Sequence, residues 1–88
     1  MERTVTVVNK LGLHARAAAK LVTLAAKFKS SVRLRKDGKD VSGKSIMGVM
    51  MLAAGLGSRI TVIADGPDAA EALDKIAALF ADKFGEGA

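Results

Sequence analysis

The apolar residues of this chain keep two different periods, and the order in which those periods alternate leaves few folds open. Within RTVTVV, residues 3–8, Val5 and Val7 alternate with Thr4 and Thr6, the period-two pattern of a half-buried strand. Ala18, Leu21, Val22, Ala25 and Phe28 then recur at helical spacing, which predicts a helix from Ala15 to about Phe28. Val32 and Leu34 return to period two between Arg33 and Arg35. Asp37-Gly38 is a hairpin signal, and Lys39 to Ser42 supply the return strand. Ser45 stands where an N-cap belongs, ahead of a short helix reaching Ala53. Ile60, Val62 and Ala64 mark a last strand. Gly66-Pro67 opens a last helix with proline in its first turn and Asp68 and Glu71 suited to the helix dipole. Its buried stripe is Leu73, Ile76, Ala77, Phe80 and Phe84. Gly85 to Ala88 is expected to fray.

The resulting order, β-α-β-β-α-β-α, predicts an antiparallel sheet with helices on one face, an α+β domain of two layers. The chain has 88 residues, half of them apolar, enough for a single domain over 1–88 with one core.

Composition narrows the function. Cysteine is absent, which excludes a disulfide framework and a cysteine-built zinc site. A lone histidine argues against a metal centre, so neither metal nor cofactor is expected. The opening MERTVTVV shows no signal-peptide pattern, and the longest nearly unbroken apolar run, Ile46 to Leu56, is too short to span a bilayer. A soluble cytoplasmic protein with no membrane partner is expected. The formal charge of +5 raises nucleic acid, an anionic membrane, or an acidic protein or phosphate as partners. The only aromatics are Phe28, Phe80 and Phe84, all at core spacing, so no stacking platform for nucleic acid is foreseen.

His14 is the only imidazole, and it falls just ahead of the first predicted helix in GLHAR, residues 12–16. The first N–H groups of a helix lack internal partners, and with the dipole they attract anions. Arg16 adds a guanidinium suited to phosphate oxygens. One reading makes His14 a nucleophile for a phosphoryl group. The other makes it an ordinary satisfied side chain. No serine, cysteine or carboxylate stands near it in sequence to complete a hydrolytic triad.

The segment Ser45 to Ala53 poses a packing problem. Gly48, Val49, Leu52 and Ala53 form one arc of the helix, and Ile46, Met47, Met50 and Met51 form the other. A short helix on a sheet buries one arc. The second is either covered by another element or an apolar contact surface, for which flexible methionine is well suited. Arg16, Lys20, Thr23 and Lys27 form a polar, basic face on the first helix, either a steering surface for an acidic partner or a solvated face.

GLHAR before an alanine-rich helix, and GKSIMGVM at residues 43–50, resemble the histidine-containing phosphocarrier family, HPr, of the phosphoenolpyruvate:sugar phosphotransferase system. The resemblance spans nearly the whole chain. It implies an open-faced β-sandwich of four antiparallel strands and three helices. It also implies a phosphoryl group taken from phospho-Enzyme I onto His14, at Nδ1, and passed to sugar-specific IIA components. The N–H groups of Ala15 and Arg16 and the Arg16 guanidinium would bind the phosphate. Ser45 matches a regulatory phosphorylation site served by HPr kinase/phosphorylase. Ile46, Met47, Met50, Met51 and Lys20 would dock partners, and a shuttling carrier is expected to be a monomer. Two positions depart from the family pattern: Ala17 stands where proline is usual, and Leu11 where a small polar residue is common. A nitrogen-branch paralogue with the same histidine chemistry, and a small basic binding module, are the alternatives.

Overall fold

A computed structural model describes residues 1–87. Its elements are β1 (Glu2–Thr6), α1 (Ala15–Ala25), β2 (Ser31–Lys36), β3 (Lys39–Ser42), α2 (Ile46–Met51), β4 (Arg59–Asp65) and α3 (Ala69–Ala81), with a 3-10 turn at Lys83–Gly85. The four strands form one sheet in the order β1-β4-β2-β3, every neighbouring pair antiparallel. The α+β open-faced sandwich is therefore the fold.

Register explains the two layers. Val5 lies opposite Ile60, Val32 opposite Ala64, and Leu34 opposite both Val62 and Val41. This set faces the helices and joins Leu21, Val49, Leu52, Leu73, Ile76 and Phe80 in a single core. Side chains alternate along a strand, so Thr4, Thr6, Thr61, Arg33 and Arg35 occupy the opposite face. Among the described residues that face carries no helix, and Arg33 and Arg35 share Asp40 of the hairpin there.

Four boundaries differ from the expected ones. The first strand stops at Thr6, although Val7 is buried, because Val7 leaves the ladder to exchange hydrogen bonds with Gly57 and Ser58. α1 ends at Ala25. Beyond it, Lys27 N–H bonds Leu24 O at 3.0 Å and Phe28 N–H bonds Ala25 O at 3.2 Å, so the chain tightens to i−3 contacts and Val22 and Phe28 are only half-buried. Ala53 is exposed rather than buried, since α2 stops at Met51 and Ala53 turns to φ +51°. Pro67 lies outside α3: Asp68 is the N-cap residue, and Phe84 sits in the 3-10 turn past the helix rather than on its stripe.

α1 and α3 run antiparallel and are tied at both ends. At one end the Asp68 carboxylate accepts from Lys29 N–H and Ser30 N–H, each at 2.9 Å, and from Ser30 Oγ at 2.5 Å. These bonds, the Ser30 hydroxyl foremost, hold the Asp68 carboxyl down at about 2. Gly66 is required beside them: its φ is +145°, and a Cβ there would lie 2.6 Å from Ser30 Oγ. At the other end the 3-10 turn folds back on α1. Phe84 is buried edge-on against Phe80, ring centres 4.9 Å apart, and Lys20 Nζ donates to Phe84 O at 2.5 Å. The chain after α3 is thus held, and the expected frayed tail is corrected for Gly85 and Glu86. Ala88 lies outside the described residues.

Candidate functional site: the head of the first helix

The loop from Asn9 to His14 is built by its own backbone. Gly12 N–H bonds Asn9 O at 3.2 Å, and the Asn9 side chain donates to Gly12 O at 2.8 Å, closing a tight turn. Gly12 takes φ +68°, and a Cβ on it would approach Ala54 O to 2.4 Å. Leu13 N–H bonds the same carbonyl at 2.9 Å. The loop therefore rests directly on the chain that leaves α2, which makes the two sequence motifs neighbours.

His14 ends this loop as the N-cap residue of α1, with extended backbone (φ −72°, ψ 177°). Its carbonyl accepts the first helical bond, from Ala18 N–H at 2.8 Å. The N–H groups of Ala15, Arg16 and Ala17 therefore precede the helical ladder and have no partner within it. No acidic residue lies in the first turn to occupy them. The first turn is formed despite the absence of proline at Ala17, whose methyl group is fully buried.

The imidazole does not cap the helix. Its Nε2 meets the Glu86 carboxylate, and among the described residues no hydrogen bond reaches Nδ1. Glu86 also accepts from the Asn9 amide at 3.0 Å. Asn9 first, and His14 second, pull the Glu86 carboxyl below the usual range, so it is an anion and purely an acceptor. The hydrogen in the His14–Glu86 bond therefore belongs to Nε2. Asn9 is fully buried, and its Oδ1 has no partner among the described residues.

Lys10, Leu11, His14, Ala15, Arg16 and Glu86 line an open cleft of about 730 Å³. Among the described residues Arg16 forms no salt bridge, so its guanidinium is available to a ligand in this cleft. Leu11, 68% exposed, gives the cleft one apolar wall.

The second motif forms α2. Ser45 Oγ accepts from Gly48 N–H at 3.1 Å, so Ser45 is the N-cap. Val49 and Leu52 face the core, while Met47 and Met51 are 71% and 66% exposed and Ile46 and Met50 are exposed as well. Among the described residues no element covers this arc. Lys20 has a place that sequence does not foretell, since its ammonium holds the 3-10 turn through Phe84. Phe80 and Phe84 are in the core and Phe28 is half-buried, leaving no exposed aromatic for base stacking.

A family model described as "PTS HPr component phosphorylation site" matches residues 1–82. The chain belongs to the HPr phosphocarrier family. It is 58% identical over 87 residues to the phosphocarrier protein HPr of Cupriavidus necator, covering 99% of this chain and 98% of that protein. It is also 48% identical over 86 residues to the phosphocarrier protein NPr of Shewanella violacea, with 98% and 94% covered. Among solved structures, HPr-C-His from Thermoanaerobacter tengcongensis superposes with a TM-score of 0.96 at 43% identity, covering 100% of this chain and 99% of that one. Among the described residues, no helix is long and apolar enough to cross a membrane.

Two residues of the site escape sequence reasoning. Glu86 stands between Gly85 and Gly87 and reads as part of a loose end, and the buried Phe84, Lys20 and Asn9 fix where it lands. Asn9 reads as a loop residue. Its complete burial is a tertiary fact, although an asparagine three residues before a glycine is a signal of local side-chain-to-backbone bonding.

Proposed function

We propose that this protein carries phosphoryl groups on His14, taking them from phospho-Enzyme I and passing them to sugar-specific IIA components in the cytoplasm. The observation that carries this reading is the position of His14. It stands at the head of α1, in an open cleft, with Nδ1 unpartnered among the described residues and the Ala15 and Arg16 N–H groups and the Arg16 guanidinium close in sequence. In phosphoryl transfer the protein supplies positioning and charge stabilisation, and this site offers both. An open cleft also suits a carrier, which must give up its cargo.

Incubation with phosphoenolpyruvate and Enzyme I is expected to give an acid-labile, alkali-stable phosphate that His14→Ala abolishes. Unlabelled wild-type protein would reject the carrier reading and leave a basic binding module.

The exposed methionine arc of α2 supports a docking surface next to the cleft for an apolar partner face with acidic rim. Ser45 borders that arc. A phosphate on its hydroxyl brings about two negative charges to the surface and opposes such docking. Ser45→Asp is expected to fold normally and accept phosphate from Enzyme I more slowly; unchanged kinetics would remove Ser45 from regulation. The kinase is the HPr kinase/phosphorylase partner. A carrier that meets each partner through one face works as a monomer. Similarity to an NPr keeps the nitrogen branch as a second reading. Relative transfer rates from the sugar-branch and nitrogen-branch Enzyme I decide between them.

A further inference from the structure

Glu86 lies beyond the segment that the family model matches, yet it makes the one hydrogen bond that the His14 ring forms among the described residues. Its side chain is only 12% exposed, and that of His14 is 28% exposed. The contact is not that of a loose tail. Phe84 anchors the 3-10 turn in the core, Lys20 clamps the Phe84 carbonyl, and the buried Asn9 amide holds the other carboxylate oxygen. Asn9 also bonds Gly12 O, so the same side chain fixes the loop that carries His14 and the carboxylate that meets it.

We infer that Glu86 is a positioning residue for phosphoryl transfer, keeping the hydrogen of His14 on Nε2 and the lone pair on Nδ1, and offsetting the positive charge that the ring acquires. This rests on the carrier reading above. The step starts from a neutral ring with its hydrogen on Nε2. The Nδ1 lone pair forms the N–P bond while the bond from phosphorus to the donor breaks, and that electron pair leaves with the donor. No proton moves: the Nε2 hydrogen stays between His14 and Glu86. The ring, having given its lone pair, becomes cationic directly opposite a carboxylate. A charge-assisted hydrogen bond strengthens at that moment, so the contact favours the phosphorylated state over the free one. A neutral amide at the same place would keep the hydrogen on Nε2 but supply no countercharge.

Wild type, Glu86→Gln and Glu86→Ala separate these roles. In the unphosphorylated protein, at a pH where the ring is neutral, the His14 Nε2 hydrogen is expected as a downfield proton resonance protected from water exchange. It persists in Glu86→Gln and disappears in Glu86→Ala. At saturating phospho-Enzyme I, acceptance is expected to slow about tenfold in Glu86→Ala, with Glu86→Gln between the two. Both variants are to be compared at matched folded fraction, judged by circular dichroism. A purely structural tail would give equal rates for all three proteins once folded, which overturns the inference. Absence of the protected resonance in wild type overturns it too. Wild-type protein that takes no phosphate rejects the carrier reading itself, and the resonance still reports whether the contact exists.

Discussion

At one end of the α1–α3 pair, Asp68 takes hydrogen bonds from two backbone N–H groups and a serine hydroxyl of the Lys29–Ser30 turn. At the other, Glu86 takes one from the Asn9 amide and one from the His14 ring. Both carboxylates link segments far apart in sequence, and both are held as anions by their donors. They differ in what they hold. Asp68 binds groups with no further chemistry, packed against a glycine that admits no side chain. Glu86 binds a ring that lines an open cleft and whose second nitrogen has no partner among the described residues. The same kind of tie that closes one end of the helix pair holds an imidazole in an open cleft at the other. Tertiary fixation and an open ring coexist because Glu86 is itself anchored by Phe84, Lys20 and Asn9.

The largest expected effect tests whether the Glu86 end is held that firmly. Phe84 is 1% exposed and meets Phe80 edge-on. Phe84→Ala removes a buried aromatic from a small core and is expected to cost about 3 kcal/mol or more in urea unfolding. It also takes away the anchor of the turn that delivers Glu86. A change below about 1 kcal/mol, the level of a surface substitution, would mean that only the Asp68 end is tied.

The next effect compares the two carboxylates by pH. The Asp68 carboxyl sits at about 2 in the folded protein, below its ordinary value of 3.8. The unfolded chain therefore binds a proton more readily than the folded one across that interval. Stability from this group is fully present above the ordinary value and is lost as pH falls toward about 2. Glu86 is lowered too and acts with the same sign. Asp68→Asn is expected to flatten the acid limb of the stability curve between pH 4 and 2 (about the interval separating the two states), and Glu86→Gln to flatten it less. Equal flattening by both, measured by urea titrations at stepped pH, would make the two ties equivalent.

The same comparison explains what was legible in the sequence. Strand periodicity, the Asp37-Gly38 hairpin and the helical stripes specify the order of elements because each is a local signal. The GLHAR and GKSIMGVM motifs locate the helix heads at His14 and Ser45 for the same reason, since capping is decided within four residues. Helix ends were less legible: α1 stops at Ala25 because the following turn is claimed by Asp68, 39 residues away from Lys29. Glu86 was not legible at all. Its neighbours Gly85 and Gly87 have positive φ and read as a loose end, whereas 72 residues separate it from the ring it meets. Lys20 illustrates the same limit: its place on the basic face was readable, its commitment to Phe84 was not.

The smallest expected effect concerns Ala17, one of the two positions that depart from the pattern expected of the family. Ala17 is the third residue of α1, and the first N–H in the helical ladder is that of Ala18. A proline at 17 therefore breaks no intrahelical bond, and its fixed φ suits a first turn. It lowers the entropy of the unfolded chain, which stabilises by up to about 1 kcal/mol where the backbone already conforms. Against this, Ala17 is fully buried, and the larger ring must be accommodated in a packed core. Proline also disfavours the helical conformation of the residue before it, here Arg16. These contributions oppose one another, so Ala17→Pro is expected to shift stability by less than about 1 kcal/mol in either direction. Phosphate acceptance should stay within about twofold of wild type, because the N–H groups of Ala15 and Arg16 are untouched and a twofold change is only about 0.4 kcal/mol of barrier. A loss of tenfold or more with stability unchanged would show that the Ala17 N–H takes part at the site. The reactive end would then depend on three free backbone donors rather than two, and the absence of proline would be a functional feature of this chain.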